Sequence, residues 1–231
     1  MKFIFFVTLG LISIPSFAQK TINCPIPLRT PVIFIDVAKD EIKYDKSKTS
    51  RELLSIASLN ISSGHSSSNN LLGLFTNKKK YLISPEYSLY GSDTMGYCVA
   101  LKQIKVKIET DPTIFISREA QSFSCSKHRT EQHELLHYKF DQEALNKYVE
   151  YLHKDLARLF AQHFYFKSKQ DINNFMSDVS QQYLNIGEQF VNNYARPLHD
   201  KIDSTDNYQQ ESTYCSYQEN YNLQKLLEKR Y

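Results

Sequence analysis

Residues 127–163 read KHRTEQHELLHYKFDQEALNKYVEYLHKDLARLFAQH. Leu145, Val149, Leu152, Leu156, Leu159 and His163 recur at alternating steps of four and three, the spacing that lines one side of an α-helix. Ile172, Met176, Val179, Tyr183, Ile186 and Phe190 repeat the pattern further on. Between the two runs, Phe166-Lys167-Ser168-Lys169 has the character of a turn, with Ser168 as the N-cap of the second helix. So short a connection makes the helices antiparallel neighbours, and each apolar seam is core against the other. A short amphipathic helix is expected from Asn220 to Tyr231.

Upstream the texture changes. Val32-Ile33-Phe34-Ile35 follows Pro31 and suits a buried or edge strand. Thr49-Ser50-Arg51-Glu52 is a capping-box pattern leading into a short helix over Leu53 to Ala57. Ser62 to Asn70 reads as a loop in which His65 is solvated, and Lys78-Lys79-Lys80 as a solvated turn. Ile104, Val106 and Ile108 alternate with charged residues, the period of a half-exposed strand. A second strand is expected over Thr113 to Ser117, after Asp111-Pro112. The fold class that follows is α+β: a β-rich part over 19–125, with a small mixed or antiparallel sheet, packed on a helical part over 126–231.

Composition narrows the function classes. The chain has 231 residues, 28 basic and 25 acidic, with a net charge of +3. That length suits one domain, and so small a surplus does not suggest a nucleic-acid groove. Lys2, the apolar run Phe3 to Ile14 and the small residues Ser16 and Ala18 form a secretory signal peptide over 1–18, cleaved before Gln19. No later stretch is apolar enough to be a transmembrane helix, so a periplasmic or secreted protein is expected. Cys24, Cys98, Cys125 and Cys215 are an even set, which in an exported chain favours two disulfides. The pairing preferred from sequence is Cys98–Cys125 with Cys24–Cys215, the first bracketing two strands and the second tying the chain ends.

The chemistry lies early in the first long helix, where His133-Glu134-Leu135-Leu136-His137 has the form HExxH. Residues four apart share a helix face, so both imidazoles can reach one metal ion. Glu134 is placed to take a proton from a water held by that ion. Zn²⁺ suits imidazole and oxygen ligands.

With these residues in view, the chain resembles the zincin metallopeptidases. More narrowly, it is similar to exported bacterial proteins described as predicted zinc-dependent proteases. The likeness runs from Gly96-Tyr97-Cys98 through Asp111 to Ile116 and Cys125, then over His133 to Asp141, and again over Lys201 to Tyr208. It implies a zincin-like α+β fold and hydrolysis of a peptide or protein substrate, with His133 and His137 as ligands and Glu134 as base. The chain departs from that pattern at Glu131 and Lys139, and Phe140 and Glu143 stand where the extended motif carries Gly and a third His. On a continuous helix Glu143 faces away from the metal.

A third ligand must come from the returning helix. At ~1.5 Å per residue from a turn near Lys167, residues 197–201 lie level with the two histidines. His199 is the preferred ligand there, with Asp200 and Asp203 as acidic alternatives and Pro197 able to shift the register. Asp141, one turn beyond His137, is expected to orient a histidine. His153 and His163 are expected on a helix face or in the core. Two functions compete: an exported zinc metallopeptidase, and a non-catalytic envelope protein whose helical hairpin binds a partner. Exposed apolar residues on the hairpin would favour the second.

Overall fold

The computed structural model describes residues 24–27, 29–60, 70–204 and 215–228, so the signal peptide read over 1–18 and the loop residue His65 lie outside the described residues. In chain order the elements are β1 (Val32–Lys39), β2 (Lys43–Asp45), α1 (Ser50–Asn60), β3 (Gly73–Ser92), β4 (Gly96–Ile116), α2 (Arg118–Gln121), α3 (Ser124–Leu159), β5 (Phe164–Phe166), α4 (Lys169–Ile202) and α5 (Tyr217–Glu228).

β4 is the middle strand of a mixed five-stranded sheet. β3 runs antiparallel along one of its edges from Gly73 opposite Ile116 to Ser92 opposite Gly96. The other edge is shared end to end by β5, antiparallel at Tyr97–Val99, then by β1 and β2, both parallel. The two strands expected on either side of Asp111-Pro112 are therefore one. Pro112 lies opposite Asn77 and falls between Thr110, where β1 ends, and Thr113, where β2 begins. A proline is tolerated there because no partner strand on that edge calls for its missing N–H.

That single strand also corrects the disulfides. Cys98 and Cys125 lie on opposite sides of the remaining length of β4, which at ~3.3 Å per residue separates them by roughly 60 Å. Cys98 pairs instead with Cys24, and Cys125 with Cys215, with Cα–Cα distances of 5.9 and 5.7 Å.

One face of the sheet is covered. From Ile104 to Ile116 every even residue of β4 is buried while the odd ones are exposed or half-buried. The odd residues of β3 sit opposite them on the same face: Gly73, Phe75, Asn77, Lys79 and Tyr81. Lys78-Lys79-Lys80 is accordingly strand and not turn. Lys78 and Lys80 point to solvent, and Lys79 turns under the helices. The hairpin between β3 and β4 turns through Asp93-Thr94-Met95 to Gly96, whose φ of 84° only glycine adopts at little cost.

α3 lies along β3, and its side chains meet that face in sequence order. Tyr138 packs edge-on to Phe75, Asp141 accepts hydrogen bonds from Asn77 and Lys79, and Tyr148 packs edge-on to Tyr81. α4 returns antiparallel after Ser168, which caps it in a reciprocal bond with Asp171. Leu145, Leu152, Leu156, Val179, Tyr183 and Val191 close the core between the helices and β4. Tyr148 donates to the Tyr183 carbonyl at 2.6 Å, and its ring occupies the space a Cβ at Gly187 would need. The first seam ends early: α3 stops at Leu159, so His163 falls in the connection. α4 continues through Pro197 to Ile202.

Candidate metal centre

His133 and His137 lie one turn apart on α3 and present their Nε2 atoms on the same side, 3.1 Å from each other. The third member comes from the end of α4. Asp203 caps that helix, its backbone N–H bonding the His199 carbonyl, and its Oδ1 stands 3.0 Å from both Nε2 atoms. These three side chains form a group able to hold a metal ion. His133 and His137 are nearly buried, and Asp203 is half-buried.

The distances are informative. In a tetrahedral site with bonds of ~2.0–2.1 Å, two ligand atoms stand roughly 3.3 Å apart, so this trio is spaced as an ion requires. Hydrogen bonds alone fit it less well. If both imidazoles donate to Asp203, two N–H groups face each other at 3.1 Å; if one is bare, only the other can donate.

The preferred third ligand from sequence, His199, is not in this trio. α4 brings Asp203 level with the histidines, four residues and one turn further than His199. His199 lies beside His137, with ring centroids 4.7 Å apart. Asp200 is exposed, because it sits about 100° around the helix from His199. Asp141 does not orient a histidine through any bond it makes here. It accepts from Asn77 Nδ2 at 2.6 Å and from Lys79 Nζ at 2.7 Å, and so clamps α3 to β3. Glu143 turns away and accepts from the Tyr194 hydroxyl. His153 is exposed on α3.

Glu134 is buried against the start of β3. A Cβ at Gly73 would come within 2.5 Å of its Oε1, so the glycine makes room for the carboxylate. Burial pushes the Glu134 carboxyl up to about 7, against the pull of His137, His133 and the Phe75 N–H. Burial likewise lowers His199 to about 4, so its imidazole is neutral. For Asp203, burial acts upward, but the neighbouring His133 and His137 imidazoles outweigh it and hold the carboxyl well below the usual range.

A second convergence, Cys125, Cys215 and Glu219, has another purpose. Its sulfurs are bonded to each other, and Glu219 accepts from the backbone N–H groups of Cys125 and Ser126. The N-cap residue of α3, Phe123, makes no side-chain cap bond, so α5 supplies the cap from a distance.

Sequence reasoning missed Gly73, Asn77 and Lys79. For the last two the signal was present, because Asn77, Lys79, Tyr81 and Ile83 keep the period of two through the lysine run. Compared with protein-family models, curated proteins and solved structures, the chain matches none.

Proposed function

We propose that the chain is a zinc-dependent hydrolase acting on peptide bonds, with His133, His137 and Asp203 as the ligands and Glu134 as the base. The observation that carries this reading is the convergence of three ligand atoms, 3.0–3.1 Å apart, beside a buried glutamate. Asp203 adds a second reason. Its carboxylate lies at the negative end of the α4 dipole, where a neighbouring cation offsets both charges.

Bound there, zinc would supply Lewis acidity to ionise a water and polarise a peptide carbonyl. Glu134 accepts the proton of the attacking water and passes it to the leaving nitrogen as the C–N bond breaks. Its burial suits that role, because a carboxyl that binds a proton near neutrality can also return it. Gly73 and the Phe75 N–H hold the carboxylate in place.

The peptide substrate class rests on the zincin resemblance of the HELLH segment. Export rests on the leader pattern, and it agrees with two disulfides and with the lack of any membrane-spanning helix among the described residues. The rival reading, a partner-binding hairpin, finds less support. The large apolar residues exposed among the described residues lie mainly on the sheet and α5, with Leu136 the one on the hairpin.

The test is metal content and hydrolysis measured together. Purified protein should carry one zinc per chain, His133→Ala should lose it, and Glu134→Gln should keep it while losing cleavage of a casein-derived peptide. A Glu134→Gln variant as active as the parent overturns the mechanism. Equal zinc in parent and His133→Ala overturns the site.

A further inference from the structure

α3 and α4 each offer two ligand-type side chains at i and i+4: His133 and His137 on one helix, His199 and Asp203 on the other. Three of the four converge. The fourth, His199, lies 4.7 Å from His137 by ring centroid, against 4.8 Å between His133 and His137, whose Nε2 atoms already meet. Its ring is therefore as close to His137 as the ring of His133 is. Its Nε2 is buried and has no hydrogen-bond partner among the described residues. A buried nitrogen left in that state carries a desolvation cost that a bond would remove.

We propose that His199 turns inward as a fourth protein ligand and closes the position that a substrate would otherwise take. The inference rests on the metal-centre reading above. In the present arrangement the His199 nitrogens stand outside the trio, so a closed site requires the His199 side chain to move toward it. A four-ligand site is the closed, resting form; with three protein ligands a position is left for chemistry. Exchange between them needs no proton or electron: the imidazole leaves and the vacated position passes to the water or the substrate oxygen. His199 thus guards the ion against adventitious ligands until a substrate competes for it.

The experiment uses the metal-free full chain reconstituted with Co²⁺, whose absorption reports ligand number and exchange. Wild type, His199→Ala, His199→Gln and Asp203→Asn are titrated with Co²⁺ and then with acetohydroxamate, with far-UV circular dichroism checking the fold. Wild type is expected to bind one Co²⁺ with a spectrum that hydroxamate alters only in large excess. Both His199 variants should bind about tenfold or more weakly and respond at far lower hydroxamate. Equal affinity and equal response in wild type and His199 variants overturns the proposal while Asp203→Asn still loses the metal. If wild type binds no Co²⁺, the metal-centre reading fails and this inference with it. Should both His199 variants misfold, the wild-type response decides, and a shift at low hydroxamate overturns the proposal.

Discussion

A carboxylate at the C-terminal end of a helix faces the negative end of the macrodipole, and Asp203 occupies that position at the end of α4. Its Oδ1 stands 3.0 Å from the Nε2 atoms of both His133 and His137, so on the proposed reading its charge would be offset by the cation that the three residues hold. Asp203→Asn should therefore lower zinc affinity by about 100-fold or more in competition with a chromophoric chelator, with helical content unchanged. Unchanged affinity would remove Asp203 from the ligand set. Gly73 is a residue-scale requirement of another kind. In Gly73→Ala the new Cβ meets Glu134 Oε1 and Thr130 Cγ2 at 2.5 Å, and the carboxylate must move. Bound zinc should persist while kcat/KM falls by roughly 10–100-fold, since small misplacements of a reacting group are costly. Loss of zinc with full activity in the remainder would contradict this.

Between elements, one of the buried contacts that set α3 against β3 is polar. Lys79 and Asp141 pair at 2.7 Å with side chains about 11% and 8% exposed, and Asn77 takes the other carboxylate oxygen. Removing one partner of such a pair leaves a buried charge, whereas removing both need not. Lys79→Met is expected to destabilise the protein by about 3–5 kcal/mol in urea unfolding, and adding Asp141→Leu to recover most of that. A double variant no more stable than the single one would show that the pair does not act as a unit. The clamp lies one turn from His137, so the same contact sets the height of the histidine pair on the sheet. At the head of α3, Glu219 and the Cys125–Cys215 bond tie α5 to the helix that carries both histidines.

Across the whole molecule, a layer of phenols joins sheet to helices and helix to helix. Burial raises the hydroxyls of Tyr81, Tyr148 and Tyr183 well above the ordinary tyrosine range, and Tyr183 also donates to Asp155 at 2.5 Å. Because the folded values are raised, the stability they contribute is complete below about pH 10, the unfolded value, and is lost as pH rises toward the folded ones. Ultraviolet titration should show three of the sixteen tyrosines silent until the helices unfold in alkali. If all sixteen ionised near pH 10 with helical circular dichroism intact, the buried layer would be wrongly placed.

Much of this was legible in the sequence because it is local. Steps of three and four define the faces of α3 and α4, Ser168 with Asp171 starts the second helix, and HELLH sets two imidazoles on one turn whatever surrounds them. Alternation along Ile104 to Ile108 marks a strand with one buried side. Partners far apart in the chain were not legible. Asp203 and His199 are both ligand types near the right height, and only the path of α4 through Pro197 brings one Oδ1 to the two histidines. Cys98 takes Cys24 because β4 runs straight through Asp111-Pro112, and that continuity depends on the gap between β1 and β2. Lys79 is buried because α3 carries Asp141 over it. Local periodicity is written in neighbouring side chains, whereas these choices are made by rigid elements meeting in space, where a shift of one helical turn decides whether His199 or Asp203 meets the two histidines.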